Sequence, residues 1–164
     1  TFKTMGIEVR FVDPADPDNF RRATNERTRA WYAETLPNPK LTVFPIAEVA
    51  AIGSELGVPL IVDNTAAPLL CKPFAHGANI VVYSTTKHID GQGRALGGVI
   101  LGSREFIRKT AEPYLKHTGA ALAAPVRTGM PQRSGSGASA WSRWAGMQRA
   151  RTRRAKRSSS APGR

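Results

Sequence analysis

Two kinds of hydrophobic pattern share the first 120 residues of this chain: short runs with the period of a strand, and one stretch with the period of a helix. Ile7, Val9 and Phe11 alternate with Glu8 and Arg10, which predicts a half-buried strand over 7–12. Asp13-Pro14-Ala15-Asp16-Pro17 is a turn whose Asp and Pro suit a helix start, and a short helix follows through Phe20 to Ala23. Residues 28–34, with Ala30, Trp31 and Tyr32, read as a strand. Pro37 and Pro39 then impose a loop, because proline removes a backbone donor and fixes φ. Pro45 to Leu56 has the helical period, with Ile46, Val49, Ala50 and Gly53 on one face and Glu48 and Glu55 off it. Gly57 is a natural stop.

The next runs do not alternate. Leu60-Ile61-Val62 and Ile80-Val81-Val82-Tyr83 are continuous and apolar, which predicts strands buried on both faces. Between them, 64–78 is a connection with a short helical part. Gly97 to Leu101 is a further short strand, and Ser103 can cap a helix carrying Phe106 and Ile107 inward and ending near Pro113. Strand, helix, strand, connection, strand is the order of an α/β fold with a mostly parallel sheet and flanking helices. After residue 120 periodicity is lost. Arg, Ser, Ala and Gly dominate 121–164, so a partial α/β domain over 1–120 and a disordered, low-complexity basic tail over 121–164 are expected.

Charge sharpens that division. The chain has 164 residues and a net charge of +12, but 121–164 hold nine Arg, one Lys and no acid. That leaves +2 on residues 1–120, so basicity belongs to the tail and does not make the domain a nucleic-acid-binding one. The single cysteine, Cys71, excludes an intrachain disulfide framework, fits a reducing cytoplasm and reads as a buried small residue. No apolar run approaches the roughly 18 residues of a membrane span. His76, His88 and His117 lack partners at metal-ligand spacing. The chain opens on Thr1 without a cap signal or signal peptide, as though cut from something longer.

Candidate chemistry gathers where the strands end. Ser84-Thr85-Thr86-Lys87 closes the run that begins at Ile80. Strand ends of a parallel sheet face the ligand crevice. A lysine there can form a Schiff base with an aldehyde, and Ser84 and Thr86, two apart on an extended segment, can hold a phosphate from one side. Aldehyde plus phosphate describes pyridoxal phosphate. Asp63 ends the preceding strand and can pair with a protonated pyridine nitrogen, or it can simply cap Asn64-Thr65. A short crossover puts both strand ends on one edge. Dinucleotide binding competes for such an edge, but the glycines at 91, 93 and 97 miss the G-x-G-x-x-G spacing, and no P-loop occurs.

These residues together resemble a known family. Val62-Asp63-Asn64-Thr65, Lys72-Pro73, His76-Gly77-Ala78 and Ser84-Thr85-Thr86-Lys87, with Glu34-Thr35-Leu36-Pro37-Asn38-Pro39 upstream, resemble the Cys/Met-metabolism (trans-sulfuration) group of fold-type I pyridoxal-phosphate enzymes. Asp90-Gly91-Gln92-Gly93-Arg94-Ala95-Leu96-Gly97-Gly98 is most similar to the O-succinylhomoserine sulfhydrylase branch, where cystathionine synthases and lyases usually carry Gly-Gly-His-Gly. The resemblance runs from about residue 5 to 122. It implies that Lys87 is the Schiff-base lysine and proton carrier, that Asp63 meets the pyridine nitrogen, that Ser84 and Thr86 hold the phosphate and that Asn38 lies near the ring hydroxyl. The implied reaction is replacement of the acyl group of an O-acylated homoserine by sulfide in methionine and cysteine biosynthesis, in the cytoplasm, by a homo-oligomer built as a dimer of dimers.

The family's ring-stacking aromatic residue, its glycine-rich phosphate turn, the Tyr and Arg lent across a dimer and the arginine for the substrate carboxylate have no counterpart in these 164 residues. The chain alone is therefore expected to be inactive. From about residue 123 the acid-free Arg/Ser/Ala/Gly composition is what a GC-rich gene yields in a wrong reading frame, and a frameshift origin is expected for it. Two alternatives stay open: a cystathionine synthase or lyase, and a non-enzymatic protein that associates with nucleic acid through the run from Arg149 to Arg157.

Overall fold

The computed structural model of the chain describes residues 2–92 and 96–118. The disordered tail expected over 121–164 lies outside the described residues. Four strands form one sheet in the order β1-β2-β3-β4: β1 is Trp31–Glu34, β2 Leu60–Asp63, β3 Ile80–Ser84 and β4 Gly98–Leu101. β1 pairs with β2 and β2 with β3 in parallel, and β4 returns antiparallel to β3. The sheet is thus mostly parallel, and the carboxyl ends of β1, β2 and β3 share one edge.

Helix α1, Asp18–Ala23, and helix α2, Ile46–Leu56, pack together beside the sheet. α2 presents Ile46, Val49, Ala50 and Gly53 to the core as its period requires, and also Ile52. It stops at Gly57, whose φ of 68° is the left-handed conformation that glycine adopts without a Cβ penalty. Gly53 is needed for another reason: a Cβ there would stand 2.7 Å from the Val58 carbonyl oxygen, so the chain can fold back directly into β2. Phe20, Trp31 and Phe44 close this side, with the Phe20 and Trp31 rings 5.3 Å apart.

Register assigns the side chains to faces. Trp31, Ala33, Leu60, Val62, Val81 and Tyr83 point toward the α2 side, and Leu60 and Val62 have no exposed surface. Each such side chain contributes about 1.5–3 kcal/mol by burial. Tyr32, Ile61, Asp63, Ile80, Val82 and Ser84 point the other way and are half-buried, apart from the exposed Tyr32. Burial of the β2 and β3 runs on both faces is therefore corrected to one sealed face and one partly covered face.

Four other expectations change. Residues 7–12 form no strand; they run as irregular chain with Phe11 95% exposed, since alternation stabilises a strand only when a neighbour accepts its backbone bonds. The strand expected from 28 begins at Trp31, because Asn25 and Thr28 hydrogen-bond each other in a turn. The helix capped by Ser103 does not end near Pro113: α3, Arg104–Phe106, continues through a π turn, Ile107–Ala111, into α4, Glu112–Thr118. In that turn the Glu112 amide reaches back to the Ile107 carbonyl, which widens the ladder just before the residue that lacks a donor. Cys71, expected to be buried, is half-buried at the rim of the core.

Candidate functional site

Alternation along parallel strands separates what anchors from what is presented. Asp63 and Asn64 are neighbours at the end of β2 that face opposite ways. Asn64 turns inward and is fully buried. Its side-chain oxygen accepts from the Thr35 hydroxyl at 2.8 Å, and its nitrogen lies 3.0–3.1 Å from the Ala67 and Cys71 carbonyls and the Tyr83 hydroxyl. An amide nitrogen has two hydrogens, so one of these is shared. One side chain thus ties the ends of β1, β2 and β3, and no buried side-chain polar atom among the described residues lacks a partner. Burial pushes the Tyr83 phenol up, with the Asn64 hydrogen bond acting against it.

Asp63 turns to the opposite, half-open face. Its Oδ1 accepts from the Thr65 amide at 2.8 Å, and its Oδ2 accepts from the Tyr32 hydroxyl at 3.1 Å. The local cap through Asn64-Thr65 therefore exists, and it leaves the second oxygen directed along the face. Desolvation, and then the negative charge of Asp63, push the Tyr32 phenol up to about 12, so it stays a donor through neutral pH. Asp63 registers with Val82, which places Ser84 on the same face one step further toward the edge. The Ser84 amide donates to the Thr65 hydroxyl at 2.7 Å, locking the two loops that follow β2 and β3.

Past Ser84 the chain is not extended, contrary to expectation. Thr85–Ile89 coils into a π turn broken at Lys87, where φ and ψ are −85° and −113°. The turn is held by the Thr85 amide on the Gly97 carbonyl and the Asp90 amide on the Thr85 carbonyl. Thr86 and Ser84 therefore do not alternate along one strand. The Thr86 hydroxyl accepts from the Gly97 amide at 3.0 Å, pinning the lead into β4. Lys87 is exposed at the carboxyl edge, and its ammonium has no ion-pair partner among the described residues. Asn38 sits exposed in the turn after β1, closed by the Leu41 amide on the Pro37 carbonyl at 2.7 Å and the Phe44 amide on the Thr35 carbonyl at 3.2 Å. No hydrogen bond joins any two of Asn38, Asp63, Ser84, Thr86 and Lys87 among the described residues. What the fold brings together is Asp63 and Ser84 on one face, with Lys87 in the turn beyond them and Asn38 on the loop of the adjoining strand end.

Tyr32, Thr65 and the Thr35–Asn64–Tyr83 set were missed as site residues. Parity offers a signal for Tyr32: it lies two residues before Glu34, which registers with Asp63. These groups fit a phosphorylated pyridine aldehyde: an exposed amine, a carboxylate held at both oxygens with lone pairs left over, and a hydroxyl on the same side. Among the described residues no cluster of His, Cys, Asp or Glu could hold a metal ion.

An α/β sheet with a lysine, a carboxylate and hydroxyls gathered at its carboxyl edge defines a class of cofactor-dependent enzyme domain. Residues 1–133 match the family described as Cys/Met metabolism PLP-dependent enzymes, and the chain belongs to that family. It is 52% identical over 107 residues to an O-acetyl-L-homoserine sulfhydrylase of Leptospira meyeri, covering 65% of this chain and 24% of that protein. It is 43% identical over 120 residues to the O-succinylhomoserine sulfhydrylase of Mycobacterium tuberculosis (strain ATCC 25618 / H37Rv), covering 73% of this chain and 30% of the relative. A crystal structure of an O-acetylhomoserine (thiol)-lyase from Campylobacter jejuni, containing N'-pyridoxyl-lysine-5'-monophosphate, superposes with a TM-score of 0.61 at 35% identity over 63% of this chain and 26% of that one. The chain thus spans 24–30% of the length of these relatives.

Proposed function

We propose that this chain is the central part of the cofactor-binding domain of a homoserine-ester sulfhydrylase. The observation that carries the reading is the common face of Asp63 and Ser84, with Lys87 in the turn directly after them. Pyridoxal phosphate, when bound, supplies an electron sink that lets a substrate carbon lose a proton. The residues of this chain do the rest. The Lys87 amine anchors the cofactor aldehyde and, once released, carries protons between substrate carbons. Asp63 holds a proton at the ring nitrogen. Ser84 and Thr86 offer hydroxyls to the phosphate; Thr86 can keep accepting from the Gly97 amide while its O–H turns from the Gly97 carbonyl, 3.4 Å away. Asn38 orients the ring hydroxyl.

In the reaction so supported, the bond from the homoserine γ-carbon to the ester oxygen breaks, the acyl group leaves as a carboxylate, and sulfide forms the new carbon–sulfur bond of homocysteine. The named relatives act on both acetyl and succinyl esters by their names, and they favour neither a cystathionine-type reaction nor nucleic-acid association. The complete enzyme is read as a cytoplasmic homo-oligomer; among the described residues no helix is long and apolar enough to cross a membrane. The test is to titrate the purified chain with pyridoxal phosphate and follow absorbance. A band that depends on lysine, lost in Lys87→Ala, is expected. An identical spectrum for wild type and variant overturns the assignment of Lys87.

A further inference from the structure

Tyr32 lies outside every motif that identified the family, yet its hydroxyl meets the acid on which the chemistry depends. β1 and β2 run parallel with Tyr32 opposite Ile61 and Glu34 opposite Asp63, so Tyr32 and Asp63 are diagonal neighbours on one face. Diagonal pairs on adjacent strands are within reach of a long aromatic side chain. Tyr32 is 58% exposed, and it fills no core position. Among the described residues, the one hydrogen bond of its hydroxyl is the 3.1 Å bond to Asp63 Oδ2.

The other oxygen, Oδ1, is already held by the Thr65 amide. A carboxylate fixed at a single oxygen can still swing about its Cβ–Cγ bond; fixed at both, it cannot. Each ionised oxygen offers about two acceptor positions. The two bonds therefore leave the group able to accept a further hydrogen bond while setting its plane.

We propose that Tyr32 is a positioning residue that sets the orientation of the Asp63 carboxylate toward the pyridine nitrogen of the cofactor. The inference rests on the reading of Asp63 given above, and the experiment separates the two. Pyridoxal phosphate affinity is measured by absorbance titration for the wild-type chain, Tyr32→Phe, Asp63→Asn and the double variant. Urea denaturation of each serves as the folding control. Tyr32→Phe keeps the ring and removes only the hydroxyl. It is expected to weaken cofactor binding about two- to tenfold, the factor that one net hydrogen bond represents, with its denaturation midpoint little changed. In the Asp63→Asn background the same change is expected to have no further effect, because the group through which it acts is gone.

A merely structural tyrosine would give the same loss in both backgrounds, and that result overturns the proposal. Tyr32→Phe without effect beside a damaging Asp63→Asn also overturns it and leaves Asp63 in its role. Asp63→Asn without effect removes Asp63 from the site, and Tyr32 with it. Absence of any Lys87-dependent binding by the wild-type chain overturns both.

Discussion

The two faces of the sheet are made from the same short strands, and they differ in purpose residue by residue. On the α2 side, Leu60 and Val62 are sealed and Asn64 is enclosed with all its partners made. On the other side, one residue along, Ile61 and Asp63 are half-open and Tyr32 is exposed. One face spends its contacts on holding strand ends in place, and the other keeps polar groups short of full burial, where a ligand can still reach them. The difference teaches that the site has its rigidity from behind. Substitutions on the sealed face should unfold the domain, and substitutions on the open face should change binding without unfolding it.

The hardest blow to that contrast is Leu60→Ala. Leu60 has no exposed surface, and the deletion leaves a cavity between β2 and the α2 cluster. A loss of about 2–5 kcal/mol is expected from urea denaturation. A loss near zero would mean that the α2 face is not sealed in solution. Asn64→Leu comes next. It keeps volume but strands the Thr35 and Tyr83 hydroxyls and two carbonyls. About 1–3 kcal/mol of destabilisation is expected, and cofactor affinity should fall with it because three strand ends lose their common tie. On the open face, Lys87→Ala should leave the denaturation midpoint within about 0.5 kcal/mol of wild type, since the side chain is exposed, while abolishing lysine-dependent absorbance. Equal damage to folding from Lys87 and Leu60 would erase the contrast.

How legible this was in the sequence follows the same division. The order of elements, the α2 face, the Gly57 stop and the shared edge of Asp63 and Ser84 could be read from periodicity and crossover rules, because those depend on residues close in the chain. The openness of the second face could not. Leu60-Ile61-Val62 and Ile80-Val81-Val82 are equally apolar at every position, and apolar type alone does not say which neighbours arrive to cover it. The alternation at 7–12 failed for the mirror-image reason: it has the right period and no strand to pair with. Lys87, Asp63 and Ser84 stand out by residue type at strand ends. Tyr32 does not, since an aromatic residue in a strand is ordinarily packing; only the register of β1 on β2 brings its hydroxyl to Asp63. The π turns at 85–89 and 107–111 were equally invisible, one hiding the coil after Ser84 and the other letting a helix pass a proline.

The smallest expected effect is also the one that tests whether the Tyr32–Asp63 bond persists in solution. The Tyr32 phenol has its pKa raised to about 12 in the folded chain, against about 10 for an unfolded tyrosine. Between those values the folded state binds more protons than the unfolded state, so stability falls as pH rises. The contribution is whole below about pH 10 and is lost as pH passes through 12. Solvent screening at an exposed ring keeps it below about 1 kcal/mol. Burial raises the Tyr83 phenol as well, so the informative quantity is the difference between wild type and Tyr32→Phe, in which its contribution cancels. Urea midpoints from pH 9 to 12 should fall more steeply for wild type than for the variant. Parallel curves would mean that the phenol titrates alike in folded and unfolded chains, and therefore that the open face does not hold its carboxylate from β1.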